Sequence, residues 1–235
     1  MFPVAILAGG LATRLYPLTE RVPKSLLPVA GRPFLFHQLD QLREEGVSEV
    51  VLCVGYLADQ IEAAVGDGRA FGLGVRYSHD GAEQLGTGGA LKQALPLLGE
   101  NFFVLNGDSY LPCSFAHIQA AYVAAGRPAL MTVFRNDNRW DRSNVLFRDG
   151  ELLEYDKHSQ RSDLTHIDFG VSVLSREVFD PYASRAVIDL AEICRSLSLR
   201  GQLAALEVVQ RFYEIGSREG IVATEEYLSR RLQRA

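Results

Sequence analysis

Gly9, Gly10, Arg14 and Lys24 are spaced for work on a phosphate chain: an apolar run, Pro3 to Ala8, ends in two glycines, and a guanidinium follows four residues later. Glycine carries no Cβ, so backbone N–H groups can close on a bulky anion, while Arg14 and Lys24 supply the positive charge that a triphosphate needs. Leu7, Ala8, Gly9, Gly10 and Thr13 are the candidate contacts of this loop. The Walker A pattern G-x-x-x-x-G-K-[ST] is absent, and so is G-x-G-x-x-G, because Gly9 and Gly10 are adjacent and no third glycine follows. A second candidate is Asn106-Gly107-Asp108-Ser109, directly after an apolar stretch. A carboxylate at the end of a strand lies where α/β sheets place their ligands, and there it can hold Mg²⁺ against phosphate oxygens.

The elements that must position these residues follow from periodicity. Apolar Leu35, Leu39 and Leu42 recur at helical spacing between Pro33 and Gly46. Glu49 to Val54 is a β-branched run, Ala58 to Val65 is helical in composition, Val75 to Ser78 a strand, Gly86 to Leu98 a helix opened by glycines, and Asn101 to Leu105 a nearly all-apolar strand. Alternation of this kind predicts a Rossmann-like, mainly parallel sheet flanked by helices, with its strands covered on both faces. Beyond residue 110 the pattern is more mixed. A helix is expected over 114–125, a strand over 129–134, a hairpin of 144–147 with 152–155 around Asp149-Gly150, and a strand over 168–174. A helix over 189–199, strands over 204–209 and 211–215, and a final helix capped by Ser217 complete the reading. A helix, rather than a paired strand, is expected to follow Asp108. No linker or repeat divides the chain, so residues 1–235 are expected to form a single domain, 1–110 its nucleotide-binding half and 111–235 the other half.

Composition narrows the partners. The chain is 47% hydrophobic and 23% charged, as in ordinary globular proteins. No apolar run approaches the roughly 18 residues that span a bilayer, and the N-terminal run lacks a basic lead, so no membrane association and a cytoplasmic location are expected. A net charge of −5 argues against a nucleic acid partner, which calls for a basic face. Cys53, Cys113 and Cys194 are odd in number and far apart, and the five histidines show no metal spacing. Tyr227, Leu228 and Leu232 pack either at home or on a second subunit, which leaves a homodimer open.

The segment Leu7-Ala8-Gly9-Gly10-Leu11-Ala12-Thr13-Arg14-Leu15, with Val22-Pro23-Lys24-Ser25-Leu26-Leu27-Pro28-Val29, resembles the signature of sugar-1-phosphate nucleotidyltransferases. Ala12 departs from it, standing where that family usually has a third glycine. The resemblance implies a sheet of the nucleotide-diphospho-sugar transferase type and two substrates, a nucleoside triphosphate and a sugar 1-phosphate, with residues 111–235 as the sugar-phosphate-binding half. It implies that Arg14 steadies the departing pyrophosphate, that Lys24 contacts the reacting phosphates, and that Asp108 binds catalytic Mg²⁺. A second metal ligand is implied at Glu214, in Phe212-Tyr213-Glu214-Ile215-Gly216, where the family usually has Asp. Leu85-Gly86-Thr87-Gly88-Gly89-Ala90 resembles the base-selecting loop, with Glu83 or Gln84 as the side chain reading the base; this form is nearest to guanylyltransferases of heptose or mannose phosphates. Gly86, Thr87, Gly88, Asn106 and Gly107 complete the implied nucleotide contacts. Tyr155-Asp156-Lys157 resembles the sugar-site motif, Asp156 taking a hydroxyl and Lys157 the sugar phosphate, and Asp168 with Gly170 stands in place of an N-A-G stretch that contacts the sugar. A sugar 1-phosphate loses its second proton near pH ~6, so the reaction needs no general base. Uridylyl transfer to an N-acetylated amino sugar phosphate is the nearest rival. A catalytically weak nucleotide-sugar-binding regulatory subunit is the alternative of another class.

Overall fold

The computed structural model describes residues 1–81 and 83–233. In chain order it forms β1 (Val4–Leu7), a small hairpin of β2 (Pro28–Val29) and β3 (Arg32–Pro33), α1 (Phe34–Glu44), β4 (Glu49–Val54), α2 (Ala58–Val65), β5 (Gly74–His79), α3 (Gly86–Ala94), β6 (Asn101–Asn106), β7 (Ser109–Tyr110) and α4 (Phe115–Ala125). There follow β8 (Ala129–Arg135), β9 (Val145–Arg148), β10 (Glu151–Tyr155), β11 (His166–Ser175), α5 (Leu190–Leu199), β12 (Leu203–Val208), β13 (Tyr213–Glu214) and α6 (Arg218–Leu232). Among the described residues no helix is long and apolar enough to cross a membrane.

Nine strands share one sheet, ordered β10-β9-β11-β6-β1-β4-β5, with β8 against β11 and β12 against β8. β6, β1, β4 and β5 are mutually parallel, as the alternating pattern predicts, so their carboxyl ends meet at one edge. The later strands pair antiparallel, except that β12 runs parallel to β8.

The apolar runs are continuous because both faces are covered. Val4, Ile6, Leu52, Phe103 and Leu105 meet α1, α2 and α4 through Leu35, Leu39, Ile61 and Phe115. Ala5, Val51, Cys53, Phe102 and Val104 turn the other way, onto Leu91, Ala94, Ile193 and Leu197 of α3 and α5. Alternation along each strand divides its side chains between the two layers. Each large apolar side chain fully buried in this way contributes about 1.5–3 kcal/mol.

Three expectations need correction. Asp108 is followed by a strand: β7 pairs antiparallel with β13, Ser109 opposite Glu214 and Tyr110 opposite Tyr213, and α4 begins only afterwards. A buried cluster of Val29, Phe34, Tyr110, Ile215 and Leu228 fastens this two-residue ladder to the body, and local periodicity contains no sign of so short a strand. The helix predicted over 86–98 stops at Ala94 and continues as a 3₁₀ turn, Leu95–Leu97, since Pro96 has no N–H with which to prolong an α-helix. The strand predicted over 211–215 shrinks to Tyr213–Glu214. Tyr227 and Leu228 pack at home, Tyr227 stacked on Tyr213 at 4.0 Å and Leu228 in the cluster just named, whereas Leu232 is half exposed.

Candidate active site

β1, β4, β5 and β6 end on the same side, and a cleft of about 700 Å³ opens over their tips. Leu7, Ala8, Gly9, Gly10, Thr13, Arg14 and Lys24 all line it. The strand ends are laced together: Ala8 N–H donates to Cys53 O at 2.8 Å, and Gly107 N–H to Leu7 O at 2.9 Å. A Cβ on Gly107 would lie 2.8 Å from Leu7 O, so only glycine lets the end of β6 approach the end of β1 this closely. Past the glycines, Ala12 adopts the left-handed region at φ 51°, which is why a glycine is usual there, and its carbonyl accepts from the buried Thr19 hydroxyl.

Four charged groups, Arg14, Lys24, Asp108 and Glu214, converge across this floor. The Lys24 ammonium donates to Asp108 Oδ2, and Ser109 Oγ donates to Asp108 Oδ1 at 3.1 Å. The β7–β13 ladder brings Glu214 beside them, with Ile215 N–H on Asp108 O at 2.9 Å. The Arg14 guanidinium and the Glu214 carboxylate both lie within 4 Å of where Gly216 would carry a Cβ. Burial first, then the Asp108 and Asp141 carboxylates, hold the Glu214 carboxyl above the usual range, while Arg14 and Lys24 pull it down. Two adjacent carboxylates, one of them raised by the other's charge, form a donor set that a hard divalent cation relieves, and Mg²⁺ is commonly bound by one or two carboxylates plus substrate phosphates. Among the described residues no group of three or more His, Cys, Asp or Glu forms a metal site from protein ligands alone.

A second lobe of about 410 Å³ continues from the first; Thr87, Asn106, Asp141, Lys157 and Glu214 line both. Its wall carries Asp168 and Gly170. Gly170, at φ 103°, donates its N–H to Asp168 Oδ1 at 2.9 Å. Burial lifts the Asp168 carboxyl to about 6, against the Gly170 N–H and the Lys157 charge, which lower it. Lys157 donates to Asp189 Oδ2 at 3.2 Å.

The Nucleotidyl transferase family model matches residues 4–143, more than half of the chain. The chain belongs to the nucleotidyl transferase family. It is similar to the N-acetylmuramate alpha-1-phosphate uridylyltransferase of Neisseria meningitidis serogroup B, 32% identical over 218 residues that cover 90% of this chain and 92% of that protein. It is 31% identical over 217 residues to the mannose-1-phosphate guanylyltransferase catalytic subunit beta of Xenopus tropicalis, covering 90% of this chain and 60% of that longer protein. The crystal structure of HddC from Yersinia pseudotuberculosis complexed with GMP-PN matches with a TM-score of 0.79 and 25% identity, over 97% of this chain and all of that one.

In this nucleotidyl transferase not every expected contact reaches the cleft. Gln84, Gly86, Thr87, Asn106 and Gly107 line the first lobe, whereas Glu83 and Gly88 do not. The N–H groups of Gly88 and Gly89 are spent on Ile188 O, at 2.9 and 3.1 Å, so the glycines of this loop admit the backbone of residues 186–188. A Cβ on Gly89 would meet Ala186 O at 2.4 Å. Asp156 lines neither lobe; its carboxylate takes the His158 N–H at 2.9 Å and Arg195 Nε at 3.2 Å.

Lining residues that escaped the sequence reading include Asp80, Asp141, Asn144 and Asp189. Asp80 stands at the tip of β5, where the rule of strand carboxyl ends would have found it. Asp141 rides in a loop built on the buried Asn136, whose side-chain amide donates to Asp141 O and Ser143 Oγ while its carbonyl accepts from Trp140 N–H. Asn144 Oδ1 accepts the Asp168 N–H at 3.0 Å. Asp189 caps α5, accepting Ala191 N–H at 3.0 Å. Burial raises its carboxyl, but the Ala191 N–H, Lys157 and Thr87 together outweigh this and hold it below the usual range. A cap residue in sequence gives no hint of such neighbours.

Proposed function

We propose that the chain is a Mg²⁺-dependent sugar-1-phosphate nucleotidyltransferase, converting a nucleoside triphosphate and a sugar 1-phosphate to a nucleoside diphosphate sugar and pyrophosphate. The observation that carries this reading is the continuity of the cleft: Arg14, Lys24 and the Asp108–Glu214 pair line the first lobe, and Glu214 and Lys157 line both lobes. A phosphate oxygen of the sugar 1-phosphate forms a bond to the α-phosphorus, and the bond from that phosphorus to the β-phosphate bridging oxygen breaks. Arg14 steadies the departing pyrophosphate, Lys24 holds the reacting phosphate, and Lys157 holds the incoming one. Mg²⁺, when bound by Asp108 and Glu214, supplies charge neutralisation at the phosphate oxygens. Catalysis is then alignment and neutralisation, as in phosphoryl transfer generally.

The first choice of substrates is GTP with a heptose or mannose 1-phosphate, supported by the Leu85–Ala90 loop, the mannose-1-phosphate guanylyltransferase relative and the GMP-PN complex. A second reading, UTP with an N-acetylated amino sugar 1-phosphate, is favoured by the Neisseria relative, which matches over nearly its whole length. Pyrophosphate release from four nucleoside triphosphates, each paired with hexose, heptose and amino sugar 1-phosphates, tests both. Turnover is expected with Mg²⁺ and is abolished by EDTA. Silence across every pair overturns the proposal and leaves a binding module.

A further inference from the structure

The chain has three lysines, and each is engaged: Lys24 with Asp108, Lys92 with the carbonyls of Tyr182, Ala183 and Arg185, and Lys157 with Asp189. Two of these contacts belong to one construction. α3 holds the segment before α5 along its length, Lys92 at residues 182–185, Gly88 and Gly89 at Ile188, and Thr87 at Asp189. The Thr87 hydroxyl donates to Asp189 Oδ1 at 3.0 Å and accepts from Leu190 N–H at 2.8 Å, while Ala191 N–H also reaches Oδ1 at 3.0 Å. That leaves Oδ2 for Lys157. Thr87 and Lys157 each line both lobes of the cleft.

An isolated pair of this exposure contributes little, because ordering two mobile side chains offsets the attraction. Asp189 differs in being already fixed by two donors, so only the Lys157 side chain is left to order. An ammonium has three donors, and one given to Asp189 leaves two for an incoming phosphate. We propose that Asp189 is a positioning residue: it aims Lys157 at the phosphate of the sugar 1-phosphate and, through Thr87, makes the sugar lobe responsive to the loop that lines the nucleotide lobe. This rests on the reading of Lys157 as the sugar-phosphate cation.

Asp189→Asn keeps a good helix cap and removes the charge. Its KM for the sugar 1-phosphate is expected to rise about tenfold, with the KM for the nucleoside triphosphate changed less than about twofold. Thr87→Val should shift the sugar KM the same way, less strongly, and add nothing on top of Asp189→Asn, as two members of one chain of contacts behave. Limited amine acylation mapped by mass spectrometry needs no turnover: Lys157 modification should rise in Asp189→Asn while Lys24 and Lys92 are unchanged. An unchanged Lys157 pattern, an unchanged sugar KM, or additive effects in the double variant would each overturn the assignment. An equal rise in both KM values together with a lowered melting temperature would mark a merely structural cap and overturn it too. A wild-type chain silent in the substrate matrix would instead refute the proposed reaction, with the acylation pattern still reporting on Asp189.

Discussion

Asp108→Asn preserves size and removes the charge that Lys24 and Glu214 both face. Turnover is expected to fall by about 100-fold or more, with nucleotide affinity affected far less, because the lost interaction matters most where charge develops. Calorimetric titration of the nucleotide beside the pyrophosphate assay checks the split. Asp168 gives a pH signature. Its carboxyl titrates at about 6 in the folded chain against about 4 when exposed, so the folded state binds more protons in that interval. Stability present below about pH 4 is therefore lost as pH rises through about 6, and Asp168→Asn should flatten that slope in denaturant midpoints measured across the range. Ala12 shows what single positions reveal. The signature around it was legible, down to the expectation of glycine, and φ 51° supplies the reason. Ala12→Gly relieves the strain at an entropic cost of similar size, so urea unfolding should move by no more than about 1 kcal/mol. Asp156 lines neither lobe, because a motif names a residue type, while Arg195 and the His158 N–H hold its carboxylate.

Elements with strong periodicity were legible close to their ends. β4 falls on the predicted residues, and β1, β5 and β6 differ by a residue or two; the central β1, β4 and β6 are covered on both faces and so read as apolar runs, while β5, at the sheet edge, alternates. The glycine-rich start of α3 was read as a surface for ligand, and half of it is packing. Gly89→Ala forces a Cβ against Ala186 O and should destabilise the fold by about 1–3 kcal/mol, visible in chemical denaturation before any assay of activity. The two-residue β7 and β13 could not be read locally, because what pairs them is the distant cluster of Phe34, Ile215 and Leu228. Leu228→Ala, at a site 2% exposed, is expected to cost about 3 kcal/mol and to loosen Glu214, so turnover should decline on warming before the far-ultraviolet circular dichroism of the main sheet does.

At the scale of the whole molecule, one sheet carries two kinds of strand arrangement, and the cleft spans the change between them. Parallel β1, β4, β5 and β6 present the loops that line the first lobe, and antiparallel β11 presents Asp168 to the second. The alternating first half announced itself; the parallel return of β12 onto β8 did not, for nothing local specifies which edge a strand adds to. Asp108 and Glu214 stand about a hundred residues apart in sequence and become neighbours only through the β7–β13 ladder. During synthesis, then, a growing chain can complete the loop proposed to hold phosphate early yet remain without the second proposed metal ligand until Glu214 has left the ribosome. The same holds for a proteolytic fragment cut between Tyr110 and Tyr213: it keeps the residues proposed to grip a polyphosphate, Gly9 to Lys24, and lacks one of the two acids proposed to hold the metal.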